Sequence, residues 1–435
     1  MKTLDHIPVT KVSRASKLVL TGAKIGVNYL NYYKDKIIDS EQKARKKLHE
    51  NNASDIYDSL STLKGSALKV AQMLSMDKSL LPQQYVEKFS LSQFSVPPLS
   101  GPLVNKTFQR YFGKLPSEMF DEFEEESVNA ASIGQVHRAR KDGKLLAIKI
   151  QYPGVAESIK SDLKMVKPIA IRMFNLQGKD SDKYFNEVEE KLLEETDYIL
   201  EVKRSMQIAK ACAHIPGLRF PNYYPQWSSQ RIITMDYMEG KHLSEFSKKN
   251  KNKQLANKIG QALWDFYMFQ IHQLRSVHAD PHPGNFIVSN EGELIAIDFG
   301  CVKEIPDEFY TPYFELSNDD ILNNPGAFRE KMKQLELIRE GDSADEINFF
   351  SSLFREMIST FMTPLKYDTF DFSDISYFNK VYDLADKFNT EPRMKKFNSN
   401  RGSKHFIYIN RTFFGLYSLL NELKANHIKI PFSGA

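Results

Sequence analysis

Apolar residues recur at helical spacing over most of the chain and at strand spacing in only a few short stretches. From Asp55 to Met76 they stand three or four positions apart, which predicts an amphipathic helix. The same spacing predicts helices over residues 185–203 and 255–274. Residues 1–50 are more loosely patterned, and residues 310–435 are rich in aromatic residues and helical in character. The chain is therefore expected to be mostly helical.

A few short stretches have the pattern of β-strands. Residues 128–140 alternate on both sides of a turn of small residues, which predicts a strand, a tight loop and a second strand. Leu145–Ile150 predicts a buried strand, and residues 231–240 predict a strand that leads into a hinge. Phe286–Val288 and Leu294–Ile297 flank a polar turn and predict a hairpin. Few strands beside many helices predict an α+β fold.

Composition places the chain among ordinary globular proteins. It has 435 residues, of which 41% are hydrophobic and 26% are charged, so two or three domains, or one bilobal domain with extensions, are expected. Cys212 and Cys301 are too few for a disulfide framework, which favours a reducing compartment. The start of the chain lacks the apolar core of a signal peptide, and no apolar run approaches the roughly 20 residues needed to cross a bilayer. A cytoplasmic or peripheral membrane location is expected.

The small net charge of +4 is unevenly distributed. Residues 1–50 contain eleven Lys and Arg but only five Asp and Glu. A basic helix of this kind can attract anionic lipid or nucleic acid, although it is more often a solvated helix face. The segment lacks the interleaved aromatic residues of a nucleic-acid binder, so no nucleic-acid partner is expected.

Three polar residues around the predicted hairpin have the spacing of a phosphoryl-transfer site. Asp280 is followed by Asn285 five residues later, and Asp298 comes thirteen residues after that. Such chemistry needs one Asp to face the attacking oxygen, and an Asn and a second Asp to hold Mg²⁺ against the phosphates. The hairpin would bring Asn285 and Asp298 side by side. The same local motif occurs in kinases of choline and aminoglycosides, so it does not settle the substrate.

A nucleotide-binding loop is expected where small residues separate the first two strands. Its residues are Ala130, Ala131, Ser132, Ile133, Gly134 and Gln135. Small side chains let backbone N–H groups approach phosphate closely. Protein kinases use three glycines at this place, and only Gly134 remains here, so the loop is expected to be stiffer. Met235 and Tyr237, in the strand before the hinge, are also expected to bind the nucleotide.

Lys149 is the one charge in an apolar strand, and such a charge is costly unless it is paired. The strand matches the Val-Ala-Ile-Lys pattern, whose lysine grips the α- and β-phosphates. A lysine that reaches solvent from an edge strand is the alternative. The predicted helix at 185–203 offers four acidic partners: Glu194, Glu195, Asp197 and Glu201. Glu195 is the chosen partner because it adjoins the apolar stripe, and Glu194 is nearly as good.

Together these motifs resemble the UbiB/AarF family of atypical kinase-like proteins, over roughly residues 5–430. The resemblance is carried by Lys69-Val-Ala-Gln72, the loop from Ala130 to His137, the strand of Lys149, Glu195-Thr-Asp197, the stretch from His278 to Asn285, and Asp298-Phe-Gly. The alanine-rich loop and the Lys-x-x-Gln helix are specific to this family, and small-molecule kinases lack them. Two departures are visible: Ala71 replaces a glycine of the helix motif, and Asn129 replaces the first alanine of the loop.

The resemblance implies a bilobal protein-kinase-like fold with a helical extension packed over the active site. It implies three regions: 1–125 as the helical extension, 126–240 as the N-lobe with a helical insertion, and 241–435 as the helical C-lobe. ATP and Mg²⁺ would be the cofactors. Asp280, Lys149 and Glu195 would be catalytic, Asn285 and Asp298 would hold the metal, and Lys69, Gln72 and Asp197 would gate the site.

For this family the resemblance implies ATP hydrolysis that supports ubiquinone-type isoprenoid quinone or lipid biosynthesis. The implied partners are ATP or ADP, an anionic membrane surface, and isoprenoid quinone precursors or biosynthetic enzymes. Two alternatives stay open. One is a phosphotransferase that acts on a small molecule or lipid. The other is a nucleotide-binding scaffold with little catalysis.

Overall fold

The computed structural model describes residues 11–38, 40–63, 98–130, 133–174, 180–391, 393 and 401–431. The chain divides into two compact units, the first made of residues 1–203 and 222–237 and the second of residues 204–221 and 238–435. Each unit has its own sheet and its own apolar core. The mixed α+β class predicted from the sequence is confirmed.

The helices are α1 (Lys11–Ile38), α2 (Glu41–Leu63), α3 (Gly101–Phe112), α4 (Pro116–Met119), α5 (Val155–Phe174), α6 (Asp180–Glu195), α7 (Tyr198–Cys212), α8 (Leu243–Lys249), α9 (Lys253–Phe269), α10 (Asp307–Glu315), α11 (Asp319–Asn323), α12 (Pro325–Gln334), α13 (Ala344–Phe361), α14 (Ile375–Thr390) and α15 (Lys404–Glu422). The strands are β1 (Glu122–Phe123), β2 (Asn129–Ala130), β3 (Gly134–Lys141), β4 (Lys144–Gln151), β5 (Leu218–Arg219), β6 (Ile232–Asp236), β7 (Lys241–His242), β8 (Ser276–His278), β9 (Phe286–Val288), β10 (Leu294–Ala296), β11 (Val302–Glu304), β12 (Thr369–Phe370) and β13 (Ile428–Lys429).

The first unit is built on an antiparallel sheet in the order β1-β3-β4-β6, with β2 also paired to β3. Alternate residues of β4, Leu146, Ile148 and Ile150, are fully buried, as expected for a strand with one face on a core. The intervening Lys149 therefore points to the opposite face, where its Cα lies across from Val136 of β3 and Ile233 of β6. This register fixes where the lysine of the motif emerges.

Helices α1 and α2 form an antiparallel pair that is tied by polar side chains. The Thr21 hydroxyl donates to the Ser59 hydroxyl at 2.6 Å, and the Asn28 amide donates to Asn52 at 3.0 Å. Helix α2 starts at Glu41, well before the predicted start at Asp55. It is described as far as Leu63. The rest of the predicted helix, which includes Lys69 and Gln72, lies outside the described residues.

The single helix predicted over residues 185–203 is in fact two helices. Helix α6 ends at Glu195 and α7 begins at Tyr198. The break occurs because Asp197 acts as an N-cap: its Oδ1 accepts the backbone N–H of Leu200 at 3.0 Å. The apolar periodicity continues across the break, so the pattern alone did not reveal it.

The second unit contains a four-stranded sheet in the order β5-β10-β9-β7 and a separate β8–β11 pair. The predicted hairpin is confirmed as the antiparallel pair of β9 and β10, with Phe286 across from Ala296. The predicted helix over residues 255–274 is α-helical to Phe269 and continues as a π-helical turn over Gln270–Leu274. That turn leads directly into β8.

Aromatic side chains contribute much of the core of the second unit. Trp264 of α9 is fully buried and its ring lies 5.7 Å from that of Phe372 and 6.4 Å from that of Tyr417. The indole N–H donates to the carbonyl of Ile430 at 3.2 Å. Among the residues that the structure describes, no helix is both long and apolar enough to cross a membrane.

Candidate active-site residues

Lys149 is held by an ion pair with Glu201 in the first unit. Its Nζ lies 2.7 Å from Oε1 of Glu201, and the two side chains are 15% and 4% exposed. The ammonium group also lies 5.1 Å from the centre of the Tyr198 ring, within the range of a cation–π contact. A buried strand lysine is thus compensated by a carboxylate and an aromatic face, both from the first turns of α7.

The choice of Glu195 as the partner of Lys149 is corrected by this pair. Glu195 is the last residue of α6, whereas Glu201 lies one turn into the next helix. The N-cap at Asp197 starts a new helix. Counting positions along one continuous helix therefore did not identify Glu201 as the acid that faces Lys149. Glu195 is 8% exposed, while Asp197 is exposed. The other two predicted gating residues, Lys69 and Gln72, lie outside the described residues.

Gly134 begins β3 at the end of the predicted nucleotide loop. A Cβ atom at this position would lie 2.7 Å from the carbonyl oxygen of Ile150 and 2.9 Å from the hydroxyl of Tyr198. The glycine is therefore required by the close approach of β4 and α7. Ile133, the residue before it, is 8% exposed, and Ala130 ends β2. Ala131 and Ser132 are outside the described residues.

The side chain of Gln135, also predicted to bind the nucleotide, is fully buried in a polar relay. Its Oε1 accepts the backbone N–H of Leu99 at 2.6 Å, and its Nε2 lies 2.7 Å from Nε2 of His137. Nδ1 of His137 lies 2.9 Å from the carbonyl oxygen of Glu124, which can only accept, so Nδ1 carries the proton. Burial lowers the pKa of His137, although the bond to Glu124 opposes this effect. The Gln135 amide thus anchors the residues before α3, and only its backbone remains for a ligand.

Met235 and Tyr237 lie where β6 ends. Met235 is 8% exposed, and its Cα lies across from Ala147 of β4. The backbone N–H of Tyr237 donates to the carbonyl of Leu145 at 3.0 Å. Its phenol oxygen accepts from Arg138 at 3.1 Å, and the guanidinium carbon lies 4.6 Å from the ring centre. The Tyr237 side chain is therefore fixed by Arg138 at the edge of the sheet.

Asp280, Asn285 and Asp298 are brought together in the second unit. The Asn285 amide donates to the carbonyl oxygen of Asp280 at 2.9 Å and to its Oδ2 at 3.3 Å. The carbonyl of Asn285 accepts the N–H of Ile297 at 3.1 Å, which places Asp298 one residue from that contact. Oδ1 of Asp298 accepts the N–H of Gly300 at 2.9 Å. The hairpin therefore brings Asn285 close to Asp298, as the spacing predicted.

Buried polar side chains hold the loop that carries Asp280 in place. The π-helical turn directs Gln270 so that its Oε1 accepts the backbone N–H of His278 at 2.9 Å. The His278 ring is 2% exposed and its Nδ1 lies 3.3 Å from the Tyr267 hydroxyl. Burial raises the pKa of Tyr267 well above its usual range, and the charges of Asp280 and Cys301 act in the same direction. Tyr267 therefore remains protonated and able to donate a hydrogen bond.

Helix α15 supplies a residue that the sequence did not reveal. Nη2 of Arg411 lies 3.9 Å from Oδ1 of Asp280. One turn later, a Cβ atom on Gly415 would lie 2.2 Å from Cγ of Pro281, so only glycine fits against the loop. The one available signal was an arginine and a glycine at helical spacing in an otherwise aromatic helix.

The donor set in the second unit suits Mg²⁺. Two carboxylates and an amide supply hard oxygen ligands, which Mg²⁺ prefers over nitrogen and sulfur. The described residues contain no cluster of three or more His, Cys, Asp and Glu able to hold a metal alone. That arrangement fits an ion bound by one or two carboxylates and completed by nucleotide phosphates and water.

Comparisons with known proteins identify the family of the chain. Residues 91–326 match the family profile described as the ABC1 atypical kinase-like domain, which is more than half of the chain. A solved Mycobacterium tuberculosis protein, Rv3197 in complex with erythromycin, is similar with a TM-score of 0.58 and 26% identity, over 90% of this chain and 96% of that one.

Curated relatives show the same similarity. A Dictyostelium discoideum protein named "Probable serine/threonine-protein kinase abkA" is 24% identical over 98% of this chain and 79% of its own length. The AarF domain-containing kinase 1 of Drosophila melanogaster is 29% identical over 77% of this chain and 67% of its own length. The mouse AarF domain-containing protein kinase 1 is 26% identical over 74% of this chain and 63% of its own length.

Proposed function

Because the chain belongs to the ABC1/AarF (UbiB) family of atypical kinase-like proteins, we propose that it binds Mg·ATP and hydrolyses it in support of isoprenoid quinone or lipid biosynthesis. The observation that carries the proposal is that both sets of kinase-type residues are formed. One set is the Lys149–Glu201 pair of the first unit. The other is the Asp280–Asn285 contact beside Asp298 in the second.

Each residue has a role that its surroundings support. Lys149, oriented by Glu201, would bind the α- and β-phosphates, as the strand lysine of a kinase does. Asn285 and Asp298 would hold Mg²⁺, which would supply positive charge to offset the negative charge that develops on the phosphates. Asp280 would orient the attacking water. The water oxygen bonds to the γ-phosphorus, the bond from phosphorus to the β–γ bridging oxygen breaks, and ADP leaves with the electron pair. The water proton is released to phosphate or solvent.

The segment after Asp298 supports water or a small molecule as acceptor over a protein. In protein kinases a long activation segment follows this Asp and helps to present the peptide. Here β11 pairs with β8 at once, with Val302 across from His278. Pro306 then caps α10, which begins at Asp307. Only eight residues, 299–306, separate Asp298 from that helix, which is too short a span for such a segment.

Labelled γ-phosphate tests the proposal. The full chain would be incubated with Mg²⁺, labelled ATP, acidic liposomes that contain a native lipid extract, and soluble protein. Label released as inorganic phosphate, and lost in Asp298→Asn, would support an ATPase. Label recovered on a lipid or metabolite would indicate the alternative phosphotransferase. Unchanged ATP together with nucleotide binding would indicate a scaffold and would overturn the proposal.

We also propose that α1 lies on an anionic membrane surface. The helix buries Thr21 against α2 and exposes a row of apolar side chains on its other face. Leu20, Val27, Leu30 and Tyr33 are 65%, 54%, 65% and 62% exposed. The same helix carries six Lys and Arg against one Asp. Apolar side chains beside basic ones match the acyl chains and headgroups of anionic lipid.

A double variant on this face would test the membrane proposal. Leu20→Ser with Leu30→Ser is expected to lower co-sedimentation with vesicles of phosphatidylcholine and phosphatidylglycerol, because the exposed leucines would no longer insert. Ile375→Ser is a matched control, since Ile375 is 70% exposed but lies on α14. Equal sedimentation of both variants, or equal binding to neutral vesicles, would contradict the proposal. Concentration-dependent self-association that the double variant abolishes would show that a second copy covers the face instead.

Isoprenoid quinone precursors and their biosynthetic enzymes are proposed as partners on the strength of family membership. A precursor that raises the rate of ATP hydrolysis on vesicles, but not in solution, would support this part of the proposal. A panel of precursors with no effect on the rate would count against it.

A further inference from the structure

We propose that Arg411 is a positioning residue for Asp280 and that α15 thereby belongs to the catalytic apparatus. The inference rests on the proposed function, because it concerns the carboxylate that would orient the attacking water. Arg411 is remote in sequence from every motif of the site. Its side chain is nevertheless only 20% exposed, and its Nη2 lies 3.9 Å from Oδ1 of Asp280.

The two oxygens of Asp280 are held by different groups. Oδ2 accepts from the Asn285 amide at 3.3 Å, and Oδ1 faces the Arg411 guanidinium at 3.9 Å. Contacts at both oxygens restrict rotation of the carboxylate about its terminal torsion, which is otherwise broad. The separation from Arg411 exceeds the 2.7–2.9 Å of a tight charge-assisted hydrogen bond, so the guanidinium orients Oδ1 through charge attraction. A carboxylate held in one orientation can present an oxygen to a water molecule.

The backbone of the loop is fixed by the same helix. Gly415 leaves no room for a Cβ atom against Pro281, the residue after Asp280. Tyr408, one turn before Arg411, forms a small buried cluster with Ala279 and Cys301. Helix α15 thus contacts the residues on both sides of Asp280 as well as its side chain. Arg411 projects from a rigid support, which makes its own position well defined.

Helix α15 is itself anchored in the core of the second unit. The Asn410 side chain, next to Arg411, accepts from the buried Tyr313 hydroxyl at 2.9 Å. Thr412, on the other side, is fully buried and donates to the carbonyl of Tyr408 at 2.9 Å. Because both neighbours are fixed, the direction of the Arg411 side chain is set by the fold.

Steady-state hydrolysis of Mg·ATP tests the inference with three variants. Arg411→Met should lower kcat about 10- to 100-fold, since a displacement of about 1 Å can cost 100-fold in rate. The KM for ATP should change less than about twofold, because Arg411 is proposed to act on Asp280 and not on the nucleotide. Arg411→Lys should recover part of kcat, and it serves in place of Arg411→Met if the latter does not fold. Lys404→Met removes an exposed cation from the same helix and should leave kcat unchanged.

A double-mutant cycle shows whether Arg411 acts through Asp280. In an Asp280→Asn background, Arg411→Met should lower kcat by less than about twofold. An equal loss in both backgrounds would overturn the inference, because Arg411 would then act on another group. Unchanged kcat in Arg411→Met would overturn it as well.

Failure of the proposed function has a separate signature. If the unmodified chain releases no phosphate, the proposed function fails, and the pairing is then tested by thermal unfolding without nucleotide. Non-additive shifts in Tm for Arg411→Met and Asp280→Asn would support the pairing, whereas additive shifts would overturn it.

Discussion

Two ion pairs hold the candidate catalytic groups, and they differ in tightness. Lys149 and Glu201, here called the strand pair, are 2.7 Å apart and 15% and 4% exposed. Asp280 and Arg411, the loop pair, are 3.9 Å apart and 22% and 20% exposed. In the strand pair the lysine must be held rigid and kept charged in an apolar sheet. In the loop pair the carboxylate would need a fixed orientation and an oxygen that can accept a hydrogen bond from water. The difference in distance therefore matches the different roles proposed for the two groups.

The largest effect on the response to Mg·ATP is expected at Asp298, the proposed metal ligand, which lies in the same unit as the loop pair. Asp298→Asn would remove a negative charge from the proposed metal site, so it should abolish the stabilisation of the chain by Mg·ATP. For the unmodified chain that stabilisation would be about 2.7 kcal/mol at a ligand concentration 100 times Kd. Differential scanning fluorimetry with and without Mg·ATP measures it. Asp320→Asn, at the start of α11, is the control and should keep the full shift in Tm.

Removal of the acid from the strand pair should have the next largest effect on nucleotide binding. Glu201→Gln leaves Lys149 buried without its charge partner, which costs about 3 kcal/mol of folding stability. It should also weaken nucleotide binding. Glu195→Gln is the matched comparison, because the observed pair is with Glu201. If Glu195→Gln weakens nucleotide binding as much as Glu201→Gln does, then Glu195 also serves Lys149.

Substitution of one glycine in each unit tests the backbone near each ion pair separately. Gly415→Ala should displace the loop of Asp280, since its Cβ would lie 2.2 Å from Pro281. Gly134→Ala should disturb β3 through Ile150, at 2.7 Å. Each change should cost about 1–3 kcal/mol of stability, as overpacking does. Gly415→Ala should lower kcat with nucleotide affinity retained, and Gly134→Ala should lower nucleotide affinity. Gly26→Ala, where no atom lies within 4 Å of the added Cβ, is the control for an unobstructed site. Because Gly26 lies inside α1, this change should raise stability by about 0.5–1 kcal/mol.

The smallest effect concerns acid sensitivity. Burial and, to a lesser degree, Arg275 lower the pKa of His272 from 6.5 to about 4. The unfolded chain therefore takes up the proton first as pH falls, and stability is lost between about pH 6.5 and 4. His272→Gln should reduce the fall in Tm between pH 7 and pH 5. The same change at the exposed His427 should leave the fall in Tm as it is in the unmodified chain.

The sequence predicted the features that depend on local pattern. The α+β class, the hairpin that joins Asn285 to Asp298, and the strand of Lys149 follow from periodicity and motif spacing over short distances. Family membership followed from motifs that are each contained in a short stretch of the chain. These features are local, so a single sequence carries enough information for them.

The features that it missed depend on long-range packing or on one capping residue. Glu201 was available, but the cap at Asp197 rotates it relative to Glu195, and apolar periodicity does not report such a restart. The burial of Gln135 became visible only with its partner Leu99, 36 residues earlier. For Arg411 the sequence offered only its helical spacing from Gly415, which does not indicate a contact with Asp280. The gating role of Lys69 and Gln72 stays a prediction.

The order of the Asp280 loop and α15 along the chain has a consequence for synthesis on the ribosome. Arg411 follows Asp280 by 131 positions (411 − 280), so the loop emerges long before its support. At 5–20 residues per second the interval is roughly 7–26 s. During that time a nascent chain would contain the strands and ligands proposed for nucleotide and metal without an oriented Asp280. The order of translation would thus delay hydrolytic competence until α15 has been made.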